Sequence, residues 1–240
     1  MITGGIEAIT FDVFGTVVDL RGTIVAEGSR IGALRGIVAD WNSIADAYSQ
    51  GYGKALGLIN SGKSPWSSQE MLLRQAFDEI VVRFGLSGLS PCDREDLGSI
   101  FARLNPWSDS ISGFKRLHGR FVLVALSNAN KTLLDSLGRS TGLPWDRVLS
   151  AELAGVSKPD PRVYLMGLAE LKKPAQSVLM VASHTFDLNA AHAEGFKTAL
   201  VQRPTEPGSS PSGLNHTAYL VVDDLDELAE KLVGSHDARL

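Results

Sequence analysis

The stretch Ile6-Glu7-Ala8-Ile9-Thr10-Phe11-Asp12-Val13-Phe14-Gly15-Thr16-Val17-Val18-Asp19 decides the fold. Ile9, Phe11 and Val13, bounded by Gly4-Gly5 and Gly15, read as a short buried strand carrying one carboxylate, Asp12, at its end. In a parallel sheet the chemistry lies beyond the C-terminal ends of the strands. Asp12 is therefore either a site residue or an ordinary turn aspartate capping the next segment, and the rest of the chain has to choose.

Downstream the character of the chain changes twice. Residues 21–104 carry helical patterns: Ile31, Leu34, Ile37, Val38 and Trp41, continuing through Ile44, Ala47 and Tyr48, recur at helical spacing, as do Met71, Leu72, Ala76, Ile80, Val81 and Phe84. The stretch from Asn60 is a loop by composition, Ser67 or Ser68 is a plausible helix start, and a third helix follows Pro91, led by Asp93 and Glu95. From Ser108 onward helices and strands alternate. Strands are predicted over Phe121–Ser127, Val148–Leu153, Val178–Ser183, Thr198–Val201 and Tyr219–Val222, and helices over Lys131–Ser140, Arg162–Leu171, Asp187–Glu194 and Asp224–Leu232. Strands apolar on both faces need helices on both sides. The expected fold is α/β: a doubly wound, Rossmann-like parallel sheet core, residues 1–20 and 105–240, with an inserted helical cap, residues 21–104. Residues 203–213 read as a surface loop and 234–240 as a frayed end.

Composition narrows the function classes. A chain of 240 residues with 44% hydrophobic residues and a net charge of -4 gives no electrostatic case for nucleic acid or an anionic membrane, so the expected partner is a small molecule. The single cysteine, Cys92, excludes an intrachain disulfide or a thiolate-rich zinc site and fits a reducing cytoplasm. The first residues lack the basic and apolar segments of a signal peptide, and no apolar run approaches the roughly 20 residues of a membrane span.

Four strand ends present polar groups: Asp12 with Thr16, Ser127 with Asn128, Lys158, and Ser183-His184-Thr185-Phe186-Asp187. Parallel strands bring such ends to one edge. Each group also has a plain reading: Ser127 and Asn128 as caps of the next helix, Lys158 as an exposed loop lysine, Asp187 as a helix N-terminal carboxylate.

Phe11-Asp12-Val13-Phe14-Gly15-Thr16, Leu126-Ser127-Asn128, Ser157-Lys158-Pro159-Asp160-Pro161-Arg162-Val163-Tyr164 and Val181-Ala182-Ser183-His184-Thr185-Phe186-Asp187, in that order, resemble the haloacid dehalogenase superfamily, and within it the type II 2-haloacid dehalogenases. The resemblance covers nearly the whole chain. It implies that Asp12 attacks the α-carbon of a small 2-substituted carboxylate to form an ester, which water hydrolyses to an inverted 2-hydroxy acid. It further implies that Lys158 keeps Asp12 ionised and Thr16 hydrogen-bonds to it, that Ser127 and the amide of Asn128 hold the substrate carboxylate, and that Asp187 positions the lysine and the water, supported by Tyr164. Dimerisation is a family expectation, and no cofactor is implied.

Departures from the family pattern shape the expected substrate. The superfamily's phosphatases carry a second aspartate two residues after the nucleophile, where Phe14 stands here. Phenylalanine cannot transfer a proton, and too few carboxylates remain for a hard cation, so no metal is expected. The resembling dehalogenases carry a Trp-Arg pair at the halide, and the corresponding pair is Trp41-Asn42, leaving Arg21 or Arg30 to supply a guanidinium. His184 and Phe186 replace a frequent asparagine and tryptophan, and His184 is read as a pocket group. A cationic leaving group facing the rings of Trp41, Tyr48 and Phe186 would fit these changes. The expectation therefore leans towards ring opening of L-azetidine-2-carboxylate, as in a hydrolase to which the resemblance extends, over L-2-haloacid dehalogenation; a non-catalytic binding protein is the reading from another class.

Overall fold

The computed structural model describes residues 5–203, 205, 206 and 208–234. They fall into two compact units, Met1–Val18 with Pro106–Leu240, and Asp19–Asn105. Along the chain, strand β1 (Ala8–Phe11) precedes four helices: α1 (Leu20–Arg35), α2 (Trp41–Asn60), α3 (Gln69–Arg83) and α4 (Pro91–Gly98). Beyond them lie α5 (Ser110–Leu117), β2 (Val122–Ser127), α6 (Lys131–Thr141), β3 (Arg147–Ser150), α7 (Pro161–Leu171), β4 (Val178–Ala182), α8 (Thr185–Ala193), β5 (Lys197–Val201), β6 (Leu220–Val222) and α9 (Leu225–Val233).

In the first unit the six strands form one parallel sheet in the order β3-β2-β1-β4-β5-β6. The chain winds outward from β1 through β2 to β3, then returns to the far side of β1 through β4. In doubly wound sheets ligands bind at such a reversal, which here falls at the C-terminal end of β1. All four residues of β1 are buried because both faces are covered. Ala8 shares a core with Val163 and Tyr164 of α7 and Leu188 and Ala191 of α8. On the other face the Phe11 ring lies 4.4 Å from that of Phe114 in α5, with Trp145 against both.

The second unit is mainly helical, with a short two-stranded pairing of Val18–Asp19 and Asn105–Pro106 where the chain enters and leaves it, and its packing is specific. The ring of Trp41 lies so close to α1 that a Cβ on Gly28 would sit 2.1 Å from it, so only glycine allows α1 and α2 to approach there. Tyr48 is buried between Phe77 and Phe101 and donates its hydroxyl to the Leu73 carbonyl at 3.0 Å. Arg35 of α1 reaches Asp93 of α4 at 2.8 and 3.1 Å, and Asp93 also closes a capping box with Ser90.

Three local expectations need correction. The helical run from Ile31 to Tyr48 is two helices: Gly36 turns left-handed at φ 67° and ends α1, and Asp40 caps α2 through the amides of Asn42 and Ser43. Periodicity continued across the break, but Leu34 and Val38 point to solvent. Residues 151–154 are a 3-10 turn, not the end of a strand, because the Ser150 side chain accepts from the Glu152 amide and Gly155 turns left-handed. The stretch after β5 is not simply surface: Arg203 is buried, donating to both oxygens of Asp109 at 2.8 and 2.9 Å and to the Thr16 carbonyl at 2.9 and 3.1 Å. The expected fray at 235–240 lies outside the described residues. Among the described residues no helix is long and apolar enough to cross a membrane.

Removing one member of a buried ion pair leaves the other charge unpaired. Arg203→Ala should therefore destabilise the protein by about 3 kcal/mol in chemical denaturation, the lower end of the usual cost, since Asp109 keeps the Leu225 amide as a donor. A loss below about 1 kcal/mol would show that the pair does not anchor the turn around Thr16.

Candidate active site

The turn after β1 builds the first part of the site. Asp12 donates its amide to the Val181 carbonyl of β4 at 2.9 Å, which fixes the backbone just beyond the strand. Gly15 adopts φ +76°, accessible to glycine at little cost, and the chain doubles back so that Thr16 Oγ1 donates to Asp12 Oδ2 at 2.9 Å. Thr16 in turn accepts from the Ser183 amide at 2.9 Å. The carbonyls of this turn are held from behind: Trp107 Nε1 donates to Gly15, Arg203 to Thr16 and Ser110 Oγ to Val17. The Arg203 guanidinium also stacks over the Trp107 ring at 4.9 Å.

Lys158 enters from the segment between β3 and α7. Its backbone is gripped by Asn128 at the end of β2: the side-chain Oδ1 accepts from the Lys158 amide at 2.6 Å and Nδ2 donates to its carbonyl at 3.5 Å. The ammonium then donates to Asp12 Oδ1 at 2.8 Å and to Asp187 Oδ2 at 2.5 Å. Asp187, in the first turn of α8, accepts at its other oxygen from the Tyr164 hydroxyl of α7, also at 2.5 Å. One cation thus bridges two carboxylates, with all three side chains no more than 11% exposed.

Burial and neighbours set the charges. Burial alone raises the Asp12 pKa, but Lys158 and His184 outweigh it and hold the carboxyl well below the ordinary carboxylate range. Burial acts to lower the Lys158 pKa, and the two carboxylates reverse that and raise it. Asp187 is raised, first by burial and then by the Asp12 charge, against the pull of Lys158. Tyr164 is pushed up by burial and by Asp187, so it remains a proton donor. Neighbouring acids driven in opposite directions mark out roles, and Asp12 is the one driven towards ionisation.

The remaining sequence-predicted residues divide. Ser127 is buried at the end of β2, its Oγ accepting from the Ala129 amide at 3.2 Å, and Phe14 is buried in the turn after Asp12. His184 is closer to the chemistry than a pocket residue need be: its Nδ1 lies 3.1 Å from Asp12 Oδ2. Burial would lower its pKa, but Asp12 and Glu206 raise it to about 10. Phe186 is exposed, its ring 5.5 Å from that of His184. Asn42, Trp41 and Tyr48 belong to the helical unit. Tyr48 is a correction, because a ring packed between Phe77 and Phe101 with its hydroxyl on Leu73 offers no face to a cation. Asn42 accepts from Arg21 at 3.1 Å, and Arg21 is held by Asp46 at 2.8 Å, so a guanidinium does stand at Asn42; Arg30 instead pairs with Glu27 on the surface. Arg203 and Glu206 were missed by the sequence reading. Their one signal was an arginine and a glutamate set among prolines just after a strand end.

Taking away the Lys158 ammonium leaves Asp12 buried beside Asp187 with only His184 and the Thr16 hydroxyl to favour its charge. In Lys158→Gln, Asp12 is expected to take up a proton well above pH 3.8, whereas in the native protein it stays ionised below that value. Carboxyl carbon-13 titration of the two proteins checks this, and identical Asp12 titrations would contradict it.

The chain matches the haloacid dehalogenase-like hydrolase family over residues 6–195. It is 26% identical over 232 residues to (S)-2-haloacid dehalogenase H-109 of Pseudomonas putida, covering 95% of this chain and 98% of that one. Among solved structures it is similar to the L-2-haloacid dehalogenase PA0810, with 36% identity, a TM-score of 0.87 and coverage of 96% and 100% of the two chains. It is also similar to the defluorinating L-2-haloacid dehalogenase Rha0230, with 28% identity, a TM-score of 0.86 and 95% of each chain covered. On the strength of its fold, its four strand-end motifs and these matches, the chain belongs to the haloacid dehalogenase-like hydrolases.

Proposed function

We propose that the protein hydrolyses small L-2-haloacids through an aspartyl ester on Asp12, without a metal ion. The observation that carries this reading is the Asp12 carboxylate itself: ionised, buried at the sheet's reversal point, and held by Lys158 at one oxygen and Thr16 at the other. A carboxylate is a modest nucleophile in water, and orienting it in a largely dry site makes it a better one. Attack of an Asp12 oxygen on the α-carbon forms a C–O bond as the carbon–halogen bond breaks, and the halide leaves with the bonding pair. Water then adds to the ester Cγ, and the 2-hydroxy acid departs with inverted configuration at its α-carbon. Ser127 and the Asn128 backbone amide are assigned to the substrate carboxylate, with the Asn128 side chain serving to place Lys158.

Absence of a metal is supported by two features. Phe14 stands where a phosphatase needs a second acid, and the Lys158 ammonium already bridges the two carboxylates that a cation would seek. Support for a halide over a ring amine comes from the similar proteins, which are 2-haloacid dehalogenases. Ring opening of L-azetidine-2-carboxylate keeps one favourable observation, the exposed ring of Phe186, while Tyr48 and Trp41 are packed within the helical unit. A cytoplasmic homodimer completes the proposed setting.

The two substrates are to be supplied side by side. L-2-chloropropionate should release chloride and give (R)-lactate at the same rate with and without chelator, and Asp12→Ala should lower that rate by about a thousandfold or more. Reaction with L-azetidine-2-carboxylate alone, or loss of turnover on chelation, would overturn the proposal.

A further inference from the structure

The segment after β5 brings into the site a third carboxylate that the displacement step does not use. The Glu206 side chain is 7% exposed, and its Oε2 lies 3.7 Å from His184 Nε2, opposite the Nδ1 that meets Asp12. Among the described residues its other oxygen, Oε1, is buried with no hydrogen-bond partner. Such an arrangement is costly for a residue whose only task is packing. Gly15 makes room for it: a Cβ there would lie 2.6 Å from Glu206 Oε2 and 3.0 Å from His184 Cε1. The same glycine therefore serves both the turn that carries Asp12 and the approach of Glu206 to the imidazole.

We propose that His184 is the general base that hydrolyses the Asp12 ester, and that Glu206 is the positioning residue that fixes its ring. This rests on the aspartyl-ester reading above. Asp187 is already engaged in holding Lys158, and accepts from Tyr164 at its other oxygen. His184 is in hydrogen-bond range of the carboxylate that becomes the ester. The charged side chains paired with its two nitrogens are Asp12 and Glu206.

The proton balance closes around this residue. In the resting enzyme the imidazolium lies between two carboxylates. Ester formation removes the charge of Asp12, so Nδ1 loses its anionic partner and releases its proton to solvent, while Nε2–H stays on the Glu206 side. The Nδ1 lone pair then faces the ester. A water oxygen bonds to Cγ as its proton passes to Nδ1, and collapse of the tetrahedral species breaks the bond to the product oxygen, which takes that proton back. The Asp12 carboxylic acid left behind transfers its proton to Nδ1, restoring the carboxylate–imidazolium pair. One proton and one halide are released per water consumed, as hydrolysis of a haloacid requires.

His184→Ala and Glu206→Gln, mixed with L-2-chloropropionate under rapid quench, separate the two chemical steps when chloride and the covalent ester, the latter by mass spectrometry, are followed together. His184→Ala should release one chloride per site and then stall, its ester hydrolysing about 100-fold more slowly than the native one, with added imidazole restoring the rate. In Glu206→Gln ester hydrolysis should slow about tenfold, and its acid limb should move to lower pH, because without a carboxylate at Nε2 the ring loses its proton more readily. Ester hydrolysis at the native rate in both variants would overturn the proposal and leave the ester chemistry standing. So would a folded His184→Ala protein, checked by circular dichroism, that fails to release the first chloride. If the native protein itself releases no chloride, both this inference and the haloacid reading fall.

Discussion

The structure depends on one buried ammonium. Lys158 stands between Asp12 and Asp187, at 2.8 and 2.5 Å, in a place where none of the three groups could keep its charge alone. Withdrawing a carboxylate from water costs several kcal/mol even after relaxation, and an arrangement of this kind holds only when geometry and further hydrogen bonds are supplied on every side. They are: Thr16 serves the second oxygen of Asp12, Tyr164 the second oxygen of Asp187, and Asn128 the backbone of the lysine. Four strand ends therefore converge on one charge arrangement, which explains why a sheet whose strand order reverses at β1 is needed to hold it.

Behind that arrangement lies a second one of opposite purpose. Asp109 and Arg203 neutralise each other with near-ideal forked geometry, and the guanidinium has enough donors left to hold the Thr16 carbonyl. Arginine suits this position because its planar fork serves a carboxylate and a carbonyl at once, which the point charge of lysine does not. The turn that carries the nucleophile is thus restrained by Arg203, Trp107 and Ser110. A carboxylate held this firmly has little orientational freedom to lose on reaction.

The sequence made much of this legible and left other parts dark, for physical reasons. Strands buried on both faces show as unbroken apolar runs, so Val122–Ser127 and Val178–Ala182 stand out, and Asp12, Lys158 and Asp187 are the polar groups just past such runs or their connections. Their convergence could be anticipated from topology alone. The separation of α1 from α2 could not be read from periodicity, because Ile37 and Val38 continue a helical spacing across a left-handed Gly36; the caps, Gly36 and Asp40, were the better signal. Tyr48 illustrates the ambiguity of an aromatic residue on a helix, since the same spacing suits a ligand face or a core, and here the core has it. Arg203 and Glu206 were hidden by their company of Pro, Gly and Ser, which describes the path of the backbone and says nothing of where two long side chains turn.

The proposed chemistry centres on a covalent bond between an Asp12 oxygen and substrate carbon. A single turnover of excess native protein with L-2-chloropropionate in oxygen-18 water tests it most directly. That bond requires the first lactate formed to carry unlabelled oxygen at its hydroxyl, donated by the carboxylate, with the label appearing in the Asp12 side chain. Lactate labelled fully in that first turnover, with Asp12 left unlabelled, would mean that water attacks the substrate directly and would contradict it.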